Sequence, residues 1–600
     1  MENIILIRFN MRRGFVIVSL AMVLSLGGIA QNSTVYKTWL PSLESAPVLE
    51  GCAWPGELEN FYDRLPLRSK ASVRKDIWDL SKHTAGLQLR FQTNAPEIII
   101  KYTVGGGLQM PHMPATGVSG VDLYSKSIDG TWQWAAGKYN FGDTITYRFT
   151  QLATQDQHVK TREYTLYLPL YNSVKWLEIS MPEESIFKPI PVRKDKPILA
   201  YGTSIAQGGC ASRPGLAWTN ILGRKLERTV INLGFSGNGR METELIELLA
   251  EVDAGMYILD CLPNMLGASV PGALLKKKLV DGIRLLQNKR KGVPILLTEH
   301  DGYTDEYVNQ KRKKEYSDAN IALKEVYDSL TKSGIKDLYI LTKEAINQDI
   351  ETMVDGTHPN DIGMMRYADA YEKKIIEIIH EPAGTISTMR PITQRRDANI
   401  YDWETRHNEI LEINQKTPPK LVFIGNSITH FWGGLPTGPI QNGKESWVKY
   451  FGAKQAINMG FGWDRIENVL WRVYHGELDY IAPEHIVLMI GTNNLEFNTN
   501  EEIVMGLEYL IKAIQMKQPN ARLLLMGIFP RRKFEDRITT LNKSISRLAT
   551  GATIRFANAG KLLSMRNKKI NESLFLDGLH PNAAGYDILG LFIQKQLSLF

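Results

Sequence analysis

The sequence predicts an α/β protein: an all-β sandwich or jelly roll followed by two three-layer α/β/α domains. Three observations predict it. Short strands with frequent turns fill residues 31–190, two later segments alternate buried strands with amphipathic helices, and those two segments share motifs in the same order. The domains expected are the sandwich at 31–190, α/β domains at 191–382 and 401–600, and a linker at 383–400.

The β-rich part comes first. Residues 86–104 read as two strands around an Asn94-Ala95-Pro96 turn, 132–141 as a hairpin, and 163–172 as a strand of period two. At Lys196 the texture changes to a buried strand (196–202), a helix (241–252) and strands at 254–260 and 293–299, closing with a helix near 368–379. Residues 380–397 are polar, aperiodic and Pro-bearing. The α/β texture then returns with strands at 419–425, 485–491 and 521–530 and a helix at 500–515.

Composition excludes several classes. With 43% hydrophobic and 22% charged residues, the chain is neither disordered nor fibrous. Arg12 and Arg13, the apolar run 15–26 and the small residues Gly28 and Ala30 read as an export signal over 1–30, which implies a periplasmic or secreted protein. Its removal takes away three arginines and one glutamate and lowers the net charge from +7 to +5. A mild charge without a basic stripe speaks against nucleic acid as a partner, and no second apolar run is long enough to span a bilayer. Cys52, Cys210 and Cys261 form no disulfide framework and read as buried apolar residues. No CxxC or HExxH occurs, so no metal or other cofactor is expected.

The internal repeat carries the chemistry. Residues 196–205 match 419–428 in an apolar run ending Gly-x-Ser-Ile; "INLGFSG" (231–237) matches "INMGFGW" (457–463), and "DGTHPNDIG" (355–363) matches "DGLHPNAAG" (577–585). Ser204 precedes His358 by 154 positions, and Ser427 precedes His580 by 153. A serine directly after a buried strand sits at the carboxyl edge of the sheet, where α/β proteins bind ligands. It becomes a nucleophile when a histidine takes its proton. In Asp-x-x-His, Asp355 and Asp577 are placed to orient His358 and His580.

These blocks resemble the SGNH/GDSL hydrolase superfamily. The resemblance implies flavodoxin-like domains and a serine nucleophile, with an oxyanion hole built from backbone N–H groups and an asparagine side chain. For the first copy it implies Ser204, Asp355 and His358 with Gly237 and Asn264; for the second, Ser427, Asp577 and His580 with Trp463 and Asn493. Three departures stand out: the residue before each serine is Thr203 or Asn426 instead of Asp, "DCLPNM" (260–265) replaces Gly-x-Asn-Asp, and Trp463 stands at a glycine position. The second copy is similar to platelet-activating-factor acetylhydrolase-like esterases. The first, with "GVDLY" (120–124), is similar to a bacterial branch that follows a β-sandwich.

The resemblance implies an esterase that removes small acyl groups, O-acetyl above all, from an acylated carbohydrate. Two rivals stay open: a lipid or thioester hydrolase, and a glycan-binding protein with inactive sites. Asn232 and Asn458 are expected to shape turns, and His430 and Trp432 either line an acyl pocket or fill the core. His300 either meets substrate or lies in a loop, Arg531 and Arg532 are expected in a solvated loop, and Trp132 and Trp134 are core or a sugar platform.

Overall fold

A computed structural model describes residues 34–154, 160–267 and 270–600; the expected export signal lies outside them. The N-terminal part is a sandwich of two antiparallel sheets. Its strands are β1 (Tyr36–Trp39), β2 (Leu49–Glu50), β3 (Gln88–Thr93), β4 (Glu97–Val104), β5 (Asp122–Lys126), β6 (Trp132–Ala135), β7 (Lys138–Asn140), β8 (Ile145–Thr150), β9 (Arg162–Tyr167), β10 (Val174–Pro182) and β11 (Phe187–Ile190). One sheet runs β1-β10-β4-β8-β7; the other runs β11-β3-β9-β5-β6, with β2 paired to β3.

One local expectation holds and one changes here. β3 and β4 are the two strands around the expected turn, and they enter opposite sheets; the segment 132–141 is no hairpin, because β6 pairs β5 while β7 pairs β8. Local alternation marks a strand but not its partner, which the sheet-to-sheet core selects. β9 is buried along nearly its whole length. Leu166 points into the sandwich core, while Glu163 and Tyr167 point outward at Arg395 and Arg224. The outer face is therefore covered by the rest of the chain.

The first α/β lobe has a parallel sheet of β12 (Ile198–Gly202), β13 (Val230–Gly234), β14 (Met256–Asp260), β15 (Ile295–Thr298) and β16 (Leu338–Leu341), in the order β13-β12-β14-β15-β16. The second has β17 (Leu421–Gly425), β18 (Ala456–Gly460), β19 (His485–Met489), β20 (Arg522–Met526) and β21 (Ile554–Ala557), in the order β18-β17-β19-β20-β21. The identical order makes the second lobe a structural repeat of the first. Side chains alternate between two buried faces: Ile198 and Ala200 join one core, Leu199 and Tyr201 the other. Leu421 and Phe423 likewise oppose Val422 and Ile424. Helices cover both faces, so each strand reads as a continuous apolar run.

The sandwich and the first lobe share a core. Met113, Val118 and Leu170 pack with Ile205, Cys210 and Trp218, and Trp54 and Trp78 pack on the opposite face of the lobe. The "GVDLY" segment is a joint between them. Asp122 accepts from the Gly215 amide at 2.9 Å and from Arg213, whose guanidinium also donates to the Tyr124 hydroxyl at 2.8 Å. Arg224 lies over the Tyr124 ring at 4.2 Å. Among the described residues, no helix is long and apolar enough to cross a membrane.

Candidate active sites

In both lobes the central strand ends in glycine and the next turn carries the serine. A Cβ on Gly202 would meet the Asp260 carbonyl oxygen at 2.7 Å, and one on Gly425 the Met489 carbonyl oxygen at 2.7 Å, so only glycine fits. Thr203 and Asn426 then cap the short helices 204–207 and 427–430, accepting from the amides of Ile205 (3.3 Å) and Ile428 (2.9 Å). The residue before the serine acts as a helix cap, which Asn performs as well as Asp and Thr somewhat less well.

The serine, histidine and aspartate meet in each lobe. Ser204 Oγ lies 2.9 Å from His358 Nε2, and His358 Nδ1 lies 2.7 Å from Asp355 Oδ2. The matching distances for Ser427, His580 and Asp577 are 2.8 and 2.6 Å. Asp355 Oδ1 also accepts from the amides of Thr357 and His358, as Asp577 Oδ1 does from Leu579 and His580. Partial burial raises the Asp355 carboxyl, but the ring and amide of His358 outweigh it and hold it below the usual carboxylate value. The same balance, with the His580 amide and ring, lowers Asp577. An ionised carboxylate on Nδ1–H leaves the Nε2 lone pair facing the hydroxyl.

The Asp-Gly-x-His-Pro-Asn spelling has a local cause. Gly356 and Gly578 take φ of 82° and 80°. Their carbonyls are held by the amides of Thr304 (3.3 Å) and Arg532 (3.0 Å). Asn360 then caps the helix Asp361–Ile379, and Asn582 caps Ala583–Leu597.

Strand register equates the two asparagines. Asp260 pairs with Gly202 and Met489 with Gly425, and Asn264 and Asn493 each lie four residues further on. Asn264 Oδ1 accepts from the Gly239 amide at 3.1 Å, which leaves Nδ2 as its donor end. Asn493 Nδ2 donates one hydrogen to the Asp464 carbonyl at 3.0 Å. Gly237 and Trp463 occupy the same turn position and share a left-handed backbone, with φ of 71° and 63°. Trp463 is 37% exposed.

The side residues sort clearly. Asn232 binds the Ala206 carbonyl and the Gly234 amide, and Asn458 binds the Thr429 carbonyl and the Gly460 amide, so each ties the second strand to the serine helix. His300, His430 and Trp432 are buried core residues. Burial pushes His300 down to about 3 and His430 to about 2, which keeps both neutral. Arg531 donates to the Thr492 carbonyl at 2.9 Å, beside Asn493, and Arg532 pairs with Glu572. Trp134 is half exposed and lies under Arg213 at 4.6 Å.

Sequence reasoning missed two features. Buried Arg64, from the N-terminal part, binds the carbonyls of Asn232 and Gly234, and buried Arg406 binds those of Asn458 and Gly460, so a guanidinium braces the second strand of each lobe. Their positions, 64 and 406, precede the repeated blocks and follow no shared motif. The second is His112, whose ring comes from the sandwich to 5.7 Å from that of His358.

A doubly wound sheet with a serine at its strand-order reversal and an Asp-x-x-His loop opposite defines an SGNH-type hydrolase fold. Residues 195–376 and 423–588 match models of the GDSL-like lipase/acylhydrolase family, and 37–187 match the N-terminus of the SGNH-hydrolase-type esterases. A GDSL-like lipase from Bacteroides ovatus is 32% identical, with a TM-score of 0.52 over 58% of this chain and 98% of that one. The chain belongs to the GDSL-like lipase/acylhydrolase family. It is also 31% identical to human platelet-activating factor acetylhydrolase IB subunit alpha2 over 156 residues, 26% of this chain and 64% of that protein. The match thus spans slightly under two thirds of that relative.

Proposed function

We propose that the protein is an exported serine esterase with two working sites, which removes O-acetyl groups from carbohydrate. The observation that carries it is the pair of Ser-His-Asp chains, with every link between 2.6 and 2.9 Å. Ser204 and Ser427 attack the acyl carbonyl, and His358 and His580 take the proton, then return it to the leaving alcohol. Asp355 and Asp577 hold each ring in its tautomer. The oxyanion is assigned to the backbone N–H groups of Ser204 and Gly237 with Asn264 Nδ2, and to those of Ser427 and Trp463 with Asn493 Nδ2. Trp463 serves here because a backbone N–H is independent of side chain.

Two features support a small acyl group on a bulky polar alcohol. The rims are open and charged, with the side chains of Asp355 and Asp577 38% and 53% exposed. Trp463, 37% exposed in the turn after β18, offers a ring of the kind that stacks on sugars. The human relative, named an acetylhydrolase, supports acetyl as the acyl group. Export rests on residues 12–30.

Ser204→Ala, Ser427→Ala and the double variant test this on p-nitrophenyl acetate and on acetylated xylan, mannan and sialic acid. Each single variant is expected to keep one site's activity, and the double variant to lose about 10³-fold or more. Wild-type turnover in the double variant overturns both nucleophile assignments. Preference for octanoyl over acetyl esters replaces the carbohydrate substrate with a lipid one.

A further inference from the structure

His112, Cys210 and His358 each offer a donor atom, and all three atoms lie within 4.8 Å of one another. Among the described residues this is the one histidine, cysteine or carboxylate group of three with that spacing. It brings together a sandwich residue, a residue of the loop after Ser204, and the histidine hydrogen-bonded to Ser204.

The three are held where they are. Met110 and Met113 exchange backbone hydrogen bonds of 3.0 and 3.1 Å, which close a tight turn with His112 at its exposed tip. Met113 is buried in the same core as Cys210. Thr116 donates to the Ser212 carbonyl at 2.7 Å, and a Cβ on Gly117 would meet the Ala211 carbonyl oxygen at 2.3 Å, so this loop lies directly on 210–212. The Cys210 amide donates to the Pro359 carbonyl at 2.9 Å, next to His358.

We propose that the first site binds a divalent cation of the zinc class through His112, Cys210 and His358, and that the bound ion switches Ser204 off. One thiolate and two imidazoles are the donors zinc takes, at about 2.3 and 2.0–2.1 Å, with a fourth position left to water. Closing the donors onto an ion asks for a shift on the order of 1 Å, which the exposed His112 side chain can supply. Because Nδ1 of His358 faces Asp355, its lone pair for a metal is on Nε2, the nitrogen facing Ser204. Ligation therefore consumes the base. A carboxylate behind a ligating histidine is also the arrangement that orients such ligands in metal sites. The Cys210 thiol gives its proton to solvent as the thiolate binds. The second lobe has Gly433 where the first has Cys210, six residues after the serine, so it is an internal control.

The inhibitory part rests on the esterase reading; the binding part does not. Zinc chloride is titrated into the full-length Ser427→Ala and Ser204→Ala chains during p-nitrophenyl acetate hydrolysis. The Ser427→Ala chain is expected to lose activity at micromolar zinc and regain it with EDTA. The Ser204→Ala chain is expected to need at least about tenfold more zinc, and His112→Ala is expected to weaken inhibition of the first site about tenfold. Cobalt(II) added to the wild-type chain should give a thiolate-to-cobalt absorption band that Cys210→Ser abolishes. Equal zinc sensitivity of both sites, or an unchanged inhibition curve in His112→Ala, overturns the switch. Absence of the cobalt band overturns the site, and that reading needs no esterase activity.

Discussion

At the scale of single residues, burial decides which polar groups serve chemistry and which serve the fold. His358 and His580 keep part of their surface in water and face a serine, whereas His300 and His430 are enclosed and neutral. Asp260 and Asp301 are enclosed too, at the ends of β14 and β15. Burial pushes both up to about 7, and Asp260 adds to the effect on Asp301. In the unfolded chain such carboxyls ionise near 3.8. Between that value and about 7 the native state holds more protons, so their contribution to stability is present below it and is lost as pH rises towards neutrality. The loss is on the order of 1 kcal/mol per pH unit for each group. Asp301→Asn should roughly halve this slope in urea unfolding of the first lobe followed between about pH 4 and 7; an unchanged slope would show that Asp301 ionises normally.

At the scale of elements, the loop that brings in each histidine is the most demanding piece. It joins an aspartate accepting two successive amides, a glycine in the left-handed region and an asparagine capping the next helix. Asn360 Oδ1 accepts from Ile362 and Gly363, while its Nδ2 donates to the Glu351 carbonyl. Asn360→Ala should cost about 1 kcal/mol. By loosening His358 it should lower kcat of the first site in a Ser427→Ala background, with KM little changed. The second site, measured in a Ser204→Ala background, should be untouched. An effect on both sites would mean that the lobes are coupled through this helix. These elements were legible because the hydrogen bonds that give the loop its shape, from the amides of Thr357 and His358 to Asp355 and from those of Ile362 and Gly363 to Asn360, span two or three positions along the chain. The pairing of β6 and β7 was not, since both strands are exposed or half-buried and choose partners through opposite sheets.

At the scale of the whole molecule, the stretch that joins the two lobes is a fastened part of the structure. Arg395 pairs with Glu163 of the sandwich, and its amide donates to the Ile128 carbonyl. Arg396 binds Asp129, Asn468 and the Trp463 carbonyl, and Gln394 binds the Gly462 carbonyl, so this stretch holds the turn that carries Trp463. Buried Arg90 joins Glu50 and Glu163 of the sandwich to Glu404 of the second lobe. Removing Arg90 takes a buried guanidinium from three carboxylates, of which Glu163 and Glu404 keep Arg395 and Glu50 keeps Arg193, so the cost should stay below the about 3–5 kcal/mol of a buried pair left without any partner. Arg90→Met should therefore lower the first calorimetric transition and separate it from that of the second lobe. A single unshifted transition would assign the cohesion to apolar contacts instead.

The sequence alone marked out the duplicated α/β lobes, the six Ser, His and Asp candidates that the fold brings together and the turn-forming asparagines, because these signals are local or repeat at equal spacing. Its assignment of Asn264 gained a physical basis only from strand register. Tertiary structure alone decided that Trp463 adopts the glycine conformation, that Arg64 and Arg406 brace the second strands, and that His112 arrives beside His358. Those contacts join residues tens to hundreds of positions apart. They depend on how sheets and lobes bury their faces against one another, and no pattern along the chain encodes that.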